Sequence, residues 1–330
     1  MASHRVHSFL LLAIISLRTE ATIVKYKEDE TSRDFLEHIP PPKASRSEAF
    51  SMAVLSRVHN EQAILSDFVA HWLDEGAERI VLIDDRSEPS VVFQDERISV
   101  FHMELHSMED GHRVLASAFL ALKKLGYMWA MHVDADEFVT TRRHASRTVA
   151  EELQMTFANR SVVQVPWILM NSDEKENPAS VVEDVTWRWS QDVHHDSGVH
   201  KYRDRYHMIG SKSCVRLDCL PDSVSLSDHT VNNPDYSCGD RVASTTNEDV
   251  NSHLVKLTEE MIPVAYLVAY HYRVYSVEQV KKKCDQQSIF KDYHGENCVG
   301  SAMESVHKDV EDTVLREKFR ARRSKTPRPT

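Results

Sequence analysis

Three carboxylates, Asp134, Asp136 and Glu137, stand around Ala135 at the end of the apolar run Tyr127-Met128-Trp129-Ala130-Met131-His132-Val133. Acids two apart in an extended segment project to the same side, so Asp134 and Asp136 could together face one hard cation. Oxygen ligands of that kind suit Mn2+ or Mg2+. A second cluster, Asp84-Asp85-Arg86-Ser87, closes another apolar run at residues 79–83. One acidic turn after a strand is ordinary surface chemistry, whereas two clusters at corresponding strand ends point to a shared ligand site. His271 and His229 are candidates to complete a metal site, since imidazole also binds Mn2+; a hydrogen-bonded structural role is the alternative for both. His102-x-x-x-His106 lies on an expected strand without the glutamate of a zinc protease motif, and is set aside.

The elements that must position these residues follow from periodicity. Residues 52–58 read as a first strand, and residues 61–75 place Ile64, Leu65, Phe68, Val69, Trp72 and Leu73 on one helical face, with Gly76 to end the helix. Strands at 79–83 and 97–103 follow. A helix over 112–125 carries Val114, Leu115, Ala118, Phe119 and Leu122, and Gly126 precedes the acid-bearing strand. The order βαββαβ predicts an α/β fold, a mostly parallel sheet with right-handed crossovers, and both acid clusters on its carboxyl edge. Beyond Arg147 the pattern weakens to a helix ending near residue 158, a strand at 162–170, a polar His-rich stretch, an apolar segment at 267–275 around His271, and a basic helix over 277–284. These later segments are expected to form the cover and second side of the cleft.

A chain of 330 residues with 41% hydrophobic residues can bury a large core in one sizeable domain or two smaller ones. The net charge of -11 disfavours a nucleic-acid partner; the exception is the basic stretch 316–328, which reads as a disordered tail. Arg5, the apolar residues 9–17 and Thr19-Glu20-Ala21 read as a signal peptide over 1–21, or a short signal anchor that would associate the chain with a membrane. Residues 22–48, with Pro40-Pro41-Pro42, read as a stem or linker. All five cysteines, Cys214, Cys219, Cys238, Cys284 and Cys298, lie in the C-terminal half; in a secretory lumen they are disulfide partners rather than zinc ligands, one staying unpaired. Asn159-Arg160-Ser161 is a glycosylation sequon that fits the same compartment, the secretory lumen (ER or Golgi) or the exterior.

Taken together, His59-Asn60-Glu61 before a helix containing Trp72, Val81-Leu82-Ile83-Asp84-Asp85-Arg86-Ser87 and His132-Val133-Asp134-Ala135-Asp136-Glu137-Phe138 resemble the family 2-like and family 92-like glycosyltransferases with a GT-A fold. Val165-Pro166-Trp167, Lys212-Ser213-Cys214-Val215-Arg216 and His271-Tyr272-Arg273-Val274-Tyr275-Ser276 extend the resemblance over roughly residues 50 to 285. It implies a GT-A-like domain at 49–300, with a nucleotide-sugar half at 49–147, an irregular acceptor half at 148–300, and a C-terminal helix and basic tail at 301–330. It implies that Asn60, Glu61, Asp84, Asp85, Ser87 and Asp134 meet the nucleotide, and that Asp134, Asp136 and His271 hold Mn2+ or Mg2+. The partners implied are a nucleotide-diphosphate sugar donor and a glycan or glycoprotein acceptor.

Transfer with inversion requires a base for the acceptor hydroxyl, and Asp173, Glu174 and Asp228 are the candidates. Asn171-Ser172-Asp173-Glu174 departs from the glycines the family carries after its tryptophan strand. That departure keeps open a secreted carbohydrate-binding protein without catalysis. A metal-dependent phosphohydrolase is a third, weaker reading of the same acids.

Overall fold

The computed structural model describes residues 26–27, 29–43, 50–194, 207–227, 231 and 238–324. The expected signal segment 1–21, part of the expected stem, and Asp228 and His229 lie outside the described residues. The strands are β1 (Tyr26–Lys27), β2 (Met52–Val58), β3 (Arg79–Asp85), β4 (Ile98–Met103), β5 (Trp129–His132), β6 (Glu137–Thr141), β7 (Val162–Asn171), β8 (Trp187–Arg188), β9 (Met208–Arg216), β10 (Ser223–Val224), β11 (Arg241–Ala243), β12 (Leu254–Lys256), β13 (Leu267–Val274) and β14 (Val310–Glu311). The helices are α1 (Glu30–His38), α2 (Gln62–Asp74), α3 (Met108–Leu125), α4 (Val149–Thr156), α5 (Val181–Asp184), α6 (Val277–Gln286), α7 (Ser288–His294), α8 (Cys298–Glu304) and α9 (Val314–Arg323).

The protein is α/β, with a mixed sheet flanked by helices. Strands β4, β3, β2 and β5 run side by side and parallel, as the βαββαβ order predicts. Alternation along these strands supplies two apolar faces. Met52 and Val54 of β2, Ile80 and Leu82 of β3, and Trp129 and Met131 of β5 face one core, which α2 covers with Ile64, Leu65, Phe68, Val69 and Trp72. Ala53, Leu55, Val81, Ile83 and Ala130 face the other, covered by Val114, Leu115, Ala118, Phe119 and Leu122 of α3. Leu73, expected on the same face of α2, is only partly buried.

Both parallel-strand helices end where glycine permits a left-handed residue: Gly76 has φ of 91° and Gly126 has φ of 89°. Helix α3 starts at Met108, earlier than the apolar pattern predicts, because the Ser107 side chain accepts a hydrogen bond from the Asp110 amide and caps a first turn that has no apolar residue to announce it beyond Met108.

The second half of the sheet is mixed. Strand β9 pairs with β5 on one side and β7 on the other, both antiparallel, and β13 pairs parallel to β7 and antiparallel to β6. This places a strand from the expected polar, His-rich stretch in the middle of the sheet.

Two expectations about the chain's ends are corrected. Within the expected stem, α1 is capped by Asp29, and it packs on α3 with Phe35 and Ile39 buried, so this part is folded onto the domain. Much of the expected basic tail is α9, held by buried Leu315 and Phe319. Its basic residues pair with buried acids: Arg322 reaches Glu75 at 2.6 Å, and Lys318 lies 3.5 Å from the same carboxylate.

Two disulfides, Cys219–Cys238 and Cys284–Cys298, are formed, and Cys214 is free and buried. Pairs of this kind are compatible with a secreted or lumenal protein. Among the described residues, no helix is long and apolar enough to cross a membrane.

Candidate functional site

The acids after β5 do not lie in an extended segment. Strand β5 ends at His132 and β6 begins at Glu137, and the four residues between them form a turn closed by a hydrogen bond from the Glu137 amide to the Asp134 carbonyl, 3.0 Å. The same-side argument from strand alternation therefore fails here, because a turn rotates its side chains apart. Asp134 and Asp136 each take a separate lysine: Lys212 from β9 donates to Asp134 Oδ2 at 2.8 Å, and Lys283 from α6 donates to Asp136 Oδ2 at 2.8 Å.

Glu137 braces the turn. Its Oε2 accepts from the Asp134 amide at 2.9 Å and lies 3.4 Å from the Lys212 ammonium, while its carboxyl is fully buried. Burial pushes its pKa well up, and Asp134 and Asp136 add to that, against the pull of Lys212. Despite partial burial of its own carboxylate, Asp134 is held well below the usual carboxylate range by Lys212.

His271, on β13, is brought to the turn by the β13–β6 pairing, in which His271 stands opposite Glu137. Its Nε2 lies 3.6 Å from Asp136 Oδ1, and its ring packs on Trp167 with centroids 4.9 Å apart. Burial lowers its pKa to about 4, so the ring is neutral at pH 7 and keeps a lone pair for a cation. The structure thus brings Asp136 and His271 together, and sets Asp134 to one side of them.

A cleft of about 460 Å³, open to solvent, is lined by His59, Asn60 and Glu61 from the β2–α2 junction, by Asp136, by Asn177 and Tyr275, and by Gln279, Lys282, Lys283 and Gln286 of α6. It opens at the carboxyl ends of β2 and β5, the expected edge of a parallel sheet. Glu61 faces the same charges: burial first, then Asp136 and Asp134, push its pKa up to about 8, against Lys283.

Asp84, Asp85 and Ser87 occupy the neighbouring strand end but are committed to the protein. Asp84 is buried; its oxygens accept from the amides of Ser87 at 3.1 Å and Val91 at 3.0 Å, and from His102 Nδ1 at 2.9 Å. Asp85 Oδ1 accepts from the Leu105 amide at 3.1 Å and from Arg86 at 3.0 Å. Ser87 Oγ accepts from the Asn60 amide at 2.8 Å, and His59 Nδ1 donates to the Asp85 carbonyl at 2.6 Å. The Asp84–Ser87 turn is in this way the support on which His59-Asn60-Glu61 rests, including Asn60 in a left-handed conformation with φ of 57°.

Two of the three candidate bases, Asp173 and Glu174, do not line the cleft. Asp173 is exposed and paired with Lys308, Glu174 is exposed, and neither lines the cleft; Asp228 lies outside the described residues. Sequence reasoning also missed the two lysines that hold the acids. Lys212 stood in a quoted motif and Lys283 in a helix read only as basic, and nothing in their spacing tied either to the acids. The one group of metal-ligand type with close donor atoms among the described residues is Asp218, Cys219 and Cys238, whose sulfurs are already joined to each other. No protein-family model matches the sequence, and no curated protein matches it.

Proposed function

We propose that the chain is a metal-dependent glycosyltransferase with a GT-A-like domain, moving a sugar from a nucleotide-diphosphate donor to a glycan or glycoprotein acceptor in the secretory lumen. The observation that carries this reading is the cleft at the carboxyl ends of β2 and β5, lined by Glu61 and by Asp136, which the neutral His271 approaches to 3.6 Å. The motifs that resemble the glycosyltransferases supply the reaction class.

The donor set fits a divalent cation. At the site Asp134 and Asp136 each pair with a lysine, Lys212 and Lys283, and the buried Glu61 and Glu137 carboxyls beside them are pushed toward their neutral forms. Burial first and the neighbouring acids second raise them, and a divalent ion beside Asp136 would favour their charged forms. Asp136 Oδ1 and His271 Nε2 are the atoms that would hold it, with Asp134 the next carboxylate along the turn. A carboxylate and a neutral imidazole favour Mn2+ over Mg2+. Bound there, the ion would offset the negative charge that grows on a leaving diphosphate.

The rest falls to the chain. The Asp84–Ser87 turn holds the β2–α2 junction in place under the ligand. Trp167 behind His271 excludes water from one side of the imidazole and fixes its plane. Tyr275 and Asn177 line the same cleft, where a donor's polar groups can bind.

Calorimetry with ADP, GDP, UDP and CDP, with and without Mn2+, tests the reading. Mn2+-dependent binding of at least one of them is expected, lost in Asp136→Asn while the variant keeps the wild-type circular dichroism. No binding by the wild type, or binding untouched by Asp136→Asn, would remove the proposal. Sugar binding without any transfer or donor hydrolysis would instead support the non-catalytic carbohydrate-binding reading.

A further inference from the structure

The cleft contains a cation of its own. Lys283, near the end of α6, places its ammonium on Asp136 Oδ2 at 2.8 Å and 5.8 Å from the centre of the Phe290 ring, and its side chain is only 15% exposed. Burial works against its charge, yet Asp136 and Glu61 hold it more firmly protonated than a free lysine. The helix beneath it is anchored. Ser276 caps the first turn, the Gln279 side-chain amide donates to the Arg273 carbonyl, and Cys284 is bonded to Cys298 of α8.

With Lys283 on Asp136 Oδ2 and a divalent cation on Oδ1, two positive centres would share one carboxylate, and like charges a few ångströms apart repel strongly in a partly buried site. A cation arriving at Asp136 therefore turns Lys283 away. The helix stays in place, so the ammonium moves by rotation about its own flexible stem and remains in the cleft. An anionic ligand bound beside Asp136 is then the group that can take it.

We propose that Lys283 exchanges partners: it neutralises Asp136 in the ligand-free cleft and turns to the diphosphate of a bound nucleotide when Asp136 engages a divalent cation. The inference rests on the nucleotide-diphosphate reading above. Lys212 does not share this role, because it is buried beneath Asp134 and Glu137 and bridges them within the fold.

One substitution should have two opposite effects. In Lys283→Met, Asp136 loses its internal counter-ion, so Mn2+ alone binds about fivefold more tightly. A nucleoside diphosphate, in saturating Mn2+, loses a charge-assisted contact and binds about tenfold more weakly. Lys283→Arg keeps the charge and should restore most of the diphosphate affinity. The corresponding nucleosides, which lack phosphate, should bind wild type and variant alike. Calorimetry of MnCl2 alone, then of each diphosphate, reads all of these.

A lysine that merely braces α6 would weaken both affinities when removed, and that result overturns the exchange, as does no change in either. If Lys283→Met does not fold by circular dichroism, Lys283→Gln carries the same measurements. Failure of the wild type to bind any nucleoside diphosphate would defeat the functional reading, and the diphosphate half of the exchange with it. Wild-type binding that is lost in Asp136→Asn but unchanged in Lys283→Met defeats the exchange alone.

Discussion

Glu75 offers the sharpest test of how the fold holds the acidic turn. It follows α2 and is fully buried, with Oε1 accepting from Thr140 Oγ1 at 2.7 Å and pairing with Arg322 at 2.6 Å, and Oε2 accepting from the Val149 amide at 2.8 Å. Lys318 lies 3.5 Å away and also donates to the hydroxyls of Thr140 and Thr141 at 2.6 and 2.7 Å. Thr140 belongs to β6, the strand that leaves the turn, so this network ties α2, β6 and α9 together. Glu75→Gln keeps the shape and removes the charge. Stripping one partner from a buried ion pair costs about 3–5 kcal/mol. Lys318 and Arg322 retain 11% and 20% side-chain exposure, and Lys318 retains its threonines, which places the expected loss near the lower end, about 3 kcal/mol.

At roughly 2 °C per kcal/mol for a chain of this size, the thermal midpoint should fall by about 6 °C, measured at pH 7 with the disulfides intact. The pH dependence has a definite sign. Burial raises the Glu75 pKa, but Lys318 and Arg322 outweigh it, so the folded value lies below the ordinary 4.5. The contribution is complete above the unfolded value and is lost as pH falls through the lowered folded one, so the gap between wild type and Glu75→Gln should close in acid. A gap under about 1 kcal/mol at pH 7, or one that persists unchanged at acid pH, would refute the assignment.

His71, buried on α2, donates Nε2–H to the Val139 carbonyl at 2.8 Å, and burial lowers its pKa from 6.5 to about 4. Acid protonates the unfolded chain first, so its contribution is intact above about pH 6.5 and declines toward pH 4, by about 2 kcal/mol at pH 5; in urea titrations at pH 7.5 and 5, His71→Gln should show a correspondingly shallower decline, and equal slopes would argue against it. A Cβ at Gly210 would meet Trp167 at 2.4 Å, inside the core behind His271. Gly210→Ala should cost about 1–3 kcal/mol and shift the tryptophan fluorescence, whereas a wild-type urea midpoint would show that the ring can yield. Phe35→Ala should cost about 3 kcal/mol or more if α1 is part of the domain core, and a variant as stable as wild type would return that segment to a linker.

The elements that position the cleft were legible where structure is local. Strands β2 and β3 and helices α2 and α3 announce themselves by apolar runs, periodicity and terminal glycines, because the parallel half of the sheet is buried on both faces by residues close in sequence. Strand β9 was not legible as a central strand, since Ser211, Lys212 and Ser213 interrupt its apolar character; their burial is tolerated because Gln164 accepts from both serines and Lys212 meets the acids. Helix α9 was read as tail for the same reason. Its basic residues look solvated until buried Glu75 is placed opposite them.

By itself the sequence determined the βαββαβ order and the acids that follow β3 and β5, and it singled out Asp136 and His271 as candidates, because residue type and short-range pattern carry that information. Tertiary structure decided which of those acids face the cleft. Asp84 and Asp85 turn inward to hold a loop, and Lys212 and Lys283 arrive from 78 and 147 residues away to hold Asp134 and Asp136. Ion pairs between distant segments leave no period in a chain, and they exist only once the sheet has set its strand order and register.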